Sequence, residues 1–170
     1  MGVINPALYE LPRIHTMQAS AECKDAICSQ VSVRDHVWTV DEPQLFGGTD
    51  LGAAPLEYAL GSAAAVTNCL VTLVSEEMGI EVKLHRVDIK ADLDTYGFLG
   101  KEPVKTPFPG IVISIEGESP AAPDDVDRLF KEIIRRDPFT QMFAATGAEV
   151  VHDWHISPTD AGQQIEANEG

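Results

Sequence analysis

The chain has 170 residues, 44% of them hydrophobic, and a formal net charge of −15 from 12 Lys and Arg against 27 Asp and Glu. That length fits one domain able to bury a core of its own. The negative charge disfavours nucleic acid and anionic membrane as partners and leaves basic or uncharged ligands open. The odd set of Cys23, Cys28 and Cys69, without a regular framework, argues against a disulfide-stapled secreted domain. No charged-then-apolar leader opens the sequence, so a cytoplasmic protein is expected.

Residues 1–16 show no clear period. Pro6 and Pro12 argue against regular structure there. An arm laid on a surface or a partner is expected, followed by one domain over residues 17–157 and a frayed polar tail over residues 158–170. Residues 17–41 read as β structure. Segments 26–34 and 36–40 alternate, with Ile27, Val31, Val33 and Val37 as candidate inward residues and Lys24-Asp25 as a tight turn. Pro43 ends this section, and residues 46–54 form a loop containing Gly47, Gly48 and Gly52.

A long helix is predicted from Pro55, which suits the first helical position, to about Met78, with Gly79 as its stop. Glu57 in the first turn complements the helix dipole. From Tyr58 to Ser75 no residue is charged. That run stands at the lower length limit for a membrane span. Its Gly, Ala, Ser, Thr and Asn content and its acidic flanks favour a helix buried on all sides of a globular protein instead. A monomer of this size rarely hides every face of a helix, so a dimer that sandwiches it is expected.

Residues 80–93 alternate again and predict a strand, bulged near His85-Arg86. A loop over 94–107 precedes a strong strand over 108–116. A second helix follows Pro123, with Asp124 and Asp125 in its first turn and Arg135 and Arg136 in its last. Val126, Leu129, Phe130, Ile133 and Ile134 form one apolar stripe on it. Asp137-Pro138 breaks the helix and caps a short one reaching Ala145. Residues 148–156 read as a final strand. The order predicts an α+β fold with mostly antiparallel pairing.

With these elements in place, DEP at 41–43, GGTD at 47–50, PLEY at 55–58 and the helix that follows resemble the OsmC/Ohr family of thiol-dependent peroxidases. Arg34 and His36 before DEP, Leu93-Asp94 with Gly97, and the second helix ending before Pro138 extend the likeness over residues 17–156. The resemblance implies antiparallel sheets wrapped around a long central helix, in an intertwined homodimer with its sites at the subunit interface. It implies that a helix thiolate attacks the O–O bond of an organic hydroperoxide and becomes a sulfenic acid. A second cysteine, just before the Pro of the second helix, then closes a disulfide. An arginine and a glutamate hold the pocket.

This chain departs from that pattern at both thiols. The first-cysteine position is Val66 and the second is Asp137. The family glutamate after Pro is Leu56 here, with Glu57 one place on. Arg34 and Lys24 are the cations available on the early strands.

Cys69 lies three residues after Val66, about 60° around the helix and roughly 4.5 Å along it. It reads either as a displaced reactive thiol or as a buried small hydrophobe; mid-helix placement brings no dipole to acidify it. Cys23 and Cys28 read as free thiols, or as a pair facing across a hairpin. Asp137 before Pro138 is a sound helix cap. His152 and His155, three apart on one strand, face opposite ways and form no ready metal pair. No HExxH, CxxC or phosphate-loop motif is present, and no cofactor is expected.

Two functions follow. One is an OsmC-like dimer without the family reaction, holding a small apolar molecule in an interface pocket near Arg34, Glu57, Val66 and Asp137. The other is a hydroperoxide reductase using Cys69.

Overall fold

The computed structural model describes residues 4–159, so most of the expected C-terminal tail lies outside the described residues. The chain divides into two compact units, residues 5–62 and, with Ile4, residues from 63 onward.

The first unit opens with a 3₁₀ turn, Pro6–Glu10. The Asn5 side chain accepts a hydrogen bond from the Ala7 N–H, and a proline begins the turn. The arm is therefore not wholly irregular, because proline at the start of a helical turn loses no hydrogen bond. Strands β1 (Ser20–Cys23), β2 (Ser29–Val33) and β3 (His36–Val40) form an antiparallel meander. Register pairs Cys23 with Ser29. Cys28, one position away, belongs to the other face of a regular strand, and both thiols are free. Val31 pairs with Trp38, and Val40 is buried. Tyr58 packs on this face, its ring 6.4 Å from that of Trp38 and its hydroxyl donating to the Thr39 carbonyl at 2.9 Å. Val31 and Val33 lie on it as expected. Val37, paired with Ser32, belongs to the opposite face and is 58% exposed; Ile27 precedes β2 and is also exposed.

Asp41 organises the loop that follows. Its carboxylate accepts hydrogen bonds from the Thr49 hydroxyl at 2.7 Å and from the backbone N–H groups of Glu42, Thr49 and Leu51. The Thr49 hydroxyl first, then those N–H groups, hold the Asp41 carboxyl below its ordinary value against the opposing effect of burial. The loop closes so tightly that a Cβ on Gly48 would stand 1.8 Å from the Glu42 carbonyl oxygen, and one on Gly52 2.3 Å from that of Thr39.

Helix α1 (Pro55–Met78) crosses from the first unit into the second. Among the described residues it is the helix long and apolar enough to cross a membrane by length and composition. It is not buried on all sides within one chain: Ala63, Thr67, Val71 and Val74 form its buried stripe, and Ala59, Gly61, Ala65 and Cys69 are exposed.

The second unit holds β4 (Lys83–Asp92), the short α2 (Thr95–Phe98), β5 (Gly110–Ser119), α3 (Pro123–Arg136), α4 (Pro138–Ala145) and β6 (Glu149–Pro158). Central β5 pairs antiparallel with β4, with a register shift between Leu84 and Arg86 where the bulge was expected. It pairs parallel with β6, so this sheet is mixed. Parallel neighbours need a long crossover, and α3 with α4 supplies it. Ile111, Ile113 and Ile115 form the buried centre of β5. On α3, Leu129, Phe130 and Ile133 pack with Val71, Val74 and Ile80 into a second cluster, with Val126 and Trp154 at its edge. Arg136 ties α3 to α1 through Glu77 at 2.6 Å and also pairs with Glu132, whose carboxyl is held down to about 2 by hydrogen bonds from Arg135 and Arg136.

Candidate functional site

The buried stripe of α1 carries one polar residue, Thr67, 1% exposed. Its hydroxyl lies 3.2 Å from the Ala63 carbonyl oxygen, the usual back-bond of a helical threonine, and 3.4 Å from Asp137 Oδ2. Asp137 is the joint between α3 and α4. Pro138 after it forces an extended backbone, φ −67° and ψ 111°, which ends one helix and caps the next. Asp137 Oδ1 accepts from the N–H groups of Phe139 at 2.9 Å and Thr140 at 3.4 Å. Its Oδ2 takes the Thr140 hydroxyl at 3.1 Å. The carboxylate is 2% exposed and Thr140 4%.

The chain of polar contacts continues to β6. Thr140 Oγ1 stands 3.1 Å from His152 Nε2, and the imidazole stacks on Trp154 with ring planes 10° apart. Trp154 in turn stacks on Phe130 of α3 at 3.7 Å. Burial pushes the His152 pKa down, and the nearby Asp137 charge opposes this in part. Thr67, Asp137, Thr140 and His152 thus link α1, the α3–α4 joint, α4 and β6 through side chains. Of these four the sequence marks Asp137 alone as a candidate site residue, and His152 only as a strand residue without a metal partner. The Asp-Pro-x-Thr spacing is a readable capping signal; the join to Thr67 and His152 is long-range and leaves no local mark.

The remaining candidates lie as follows. Val66 is half-buried and precedes Thr67 on α1. Cys69 is exposed in the single chain, and no hydrogen bond or ion pair reaches it among the described residues. Arg34 is in the first unit, in the two-residue β2–β3 turn with φ 53°, and borders an open groove with His15, Met17 and Ser32. Glu57, also in the first unit, reaches back to accept the Ala54 N–H at 2.8 Å, half of a capping box at the start of α1. No ion pair joins Arg34 to Glu57. No cluster of three or more His, Cys, Asp or Glu suited to a metal occurs among the described residues.

No protein-family model and no curated protein matches the sequence. Solved structures do match the fold. An OsmC-like protein from Mycoplasma pneumoniae superposes with a TM-score of 0.71 at 15% identity, over 84% of this chain and 98% of that one. An organic hydroperoxide resistance protein OsmC from Legionella pneumophila gives 0.56 at 14% identity, over 86% and 99%. The organic hydroperoxide resistance protein OhrB of Bacillus subtilis gives 0.53 at 15%, over 84% and 98%. At such identities what is shared is the path of the backbone, and over nearly its whole described length this chain has the OsmC/Ohr fold.

Proposed function

We propose that this chain is a cytoplasmic OsmC-fold homodimer that lacks the thiol peroxidase reaction and holds a small, largely apolar molecule at its subunit interface. One observation carries the reading. Where the resemblance expects the two reactive cysteines the chain has Val66, which has no redox chemistry, and Asp137, whose carboxylate is buried and already accepts hydrogen bonds from the Phe139 N–H, the Thr140 N–H and the Thr140 hydroxyl, with the Thr67 hydroxyl 3.4 Å away. A residue so committed to capping α4 and tying it to α1 serves structure where a resolving thiol would need freedom to move. The dimer is supported by α1, whose small and apolar residues remain exposed over several turns without a charge.

A second reading rests on the exposure of Cys69. Its thiolate would attack the hydroperoxide O–O bond, releasing the alcohol and leaving a sulfenic acid that an added dithiol reduces back. The deciding experiment is consumption of cumene hydroperoxide by the reduced protein with dithiothreitol, with Cys69→Ser alongside. The first reading expects no turnover above the buffer rate in either. Turnover by the parent that disappears in Cys69→Ser would replace it with the second.

A further inference from the structure

We propose that His152 is a proton-accepting residue of this chain, held by Asp137 through Thr140 in the tautomer that carries its hydrogen on Nε2 and presents Nδ1 as a free lone pair. The inference stands within the second unit alone and does not depend on the proposed interface ligand. Its basis is a count of hydrogens. The Asp137 carboxylate only accepts, and it lies 3.1 Å from the Thr140 hydroxyl, which has one hydrogen to give. That hydrogen goes to Asp137, so the contact of 3.1 Å between Thr140 Oγ1 and His152 Nε2 is made by a hydrogen on the imidazole.

Nδ1 then carries the lone pair. It has no hydrogen-bond partner among the described residues, and it is not among the buried polar atoms left unsatisfied, of which Ser75 Oγ is the one found. His152 as a whole is half-buried. Thr140 of α4 contacts the ring and Trp154, two residues along β6, stacks on it, while Ile113 of β5 is the register partner of His152; Asp137 is the charged group that acts on the ring. Burial keeps the ring neutral to lower pH than a free histidine, so the lone pair is present at neutral pH. The ligand class such a group recognises is a small molecule offering an O–H or S–H hydrogen. When the proton moves, Nδ1 gains it, the donor becomes an anion, and the Asp137 charge stabilises the imidazolium through Thr140.

The test is the tautomer and reactivity of His152 in the full-length protein. Long-range 1H–15N correlation spectra at pH 8 should show His152 as the Nε2–H form. Thr140→Val should bring it toward a mixture of tautomers, and Thr140→Ser, which keeps the hydroxyl, should restore the parent form. Diethyl pyrocarbonate should acylate His152, with a rate that follows its deprotonation. An Nδ1–H signal in the parent protein would overturn the proposal whatever the variants do. So would a His152 that stays unmodified while the exposed His15, His36 and His155 react.

Discussion

Asp41 and Thr67 show how single polar side chains set local structure here. Three of the hydrogen bonds to Asp41 converge on Oδ2. A carboxyl held below its unfolded value stabilises the fold above that value, and the contribution is lost as pH falls through the folded value. Asp41→Asn should therefore lower the melting temperature at pH 7. The gap between the two proteins should close on acidification below the ordinary carboxyl value of 3.8, as thermal unfolding followed by circular dichroism at a series of pH values would show. Thr67→Val keeps the shape of a buried side chain and removes one donor to Asp137. It should cost about 1–2 kcal/mol in urea unfolding. An unchanged midpoint would mean that the 3.4 Å contact contributes nothing.

At the scale of elements, the loop into α1 and the packing of α3 carry the clearest expectations. The Gly48 backbone runs against the Glu42 carbonyl, so even a methyl group has no room. Gly48→Ala should destabilise by roughly 2–4 kcal/mol, and a tolerated alanine would show that the loop has a second conformation. Leu129 is fully buried between α1 and the sheet. Leu129→Ala should cost about 2–5 kcal/mol, measured by denaturant unfolding. Both elements were legible in the sequence, one as a Gly-rich loop after DEP and the other as a 3.6-residue stripe. The parallel pairing of β6 was not, because strand direction depends on where a crossover lands and alternation along a strand is the same either way.

For the whole molecule, the open question is what covers α1. Its buried stripe consists of Ala63, Thr67, Val71 and Val74, while the uncharged run from Tyr58 to Ser75 also covers the exposed faces between them. If a second copy covers the rest, a charge at an exposed small position will be driven against apolar surface and cost several kcal/mol of association. Ala65→Glu should shift sedimentation velocity from dimer toward monomer at micromolar concentration, with the second unit's circular dichroism retained. A parent protein that sediments as a monomer at all concentrations would remove the dimer from the proposed function.

The sequence by itself determined the two long helices and the main strands in their order, the cap at Asp137, the bulge at His85 and the identity of the fold. These depend on neighbours within a few residues, or on motifs whose spacing survives in one dimension. It did not determine the short turns Pro6–Glu10 and Thr95–Phe98, which fall where an irregular arm and a loop were expected. Only the tertiary structure decided which face of β3 is inward, that β6 runs parallel to β5, and that one chain buries α1 along a single stripe. It also decided that Thr67, Thr140 and His152 gather around Asp137. These are outcomes of packing between segments up to 85 residues apart in sequence, from Thr67 to His152. Desolvation and hydrogen-bond satisfaction choose among them only once the segments meet.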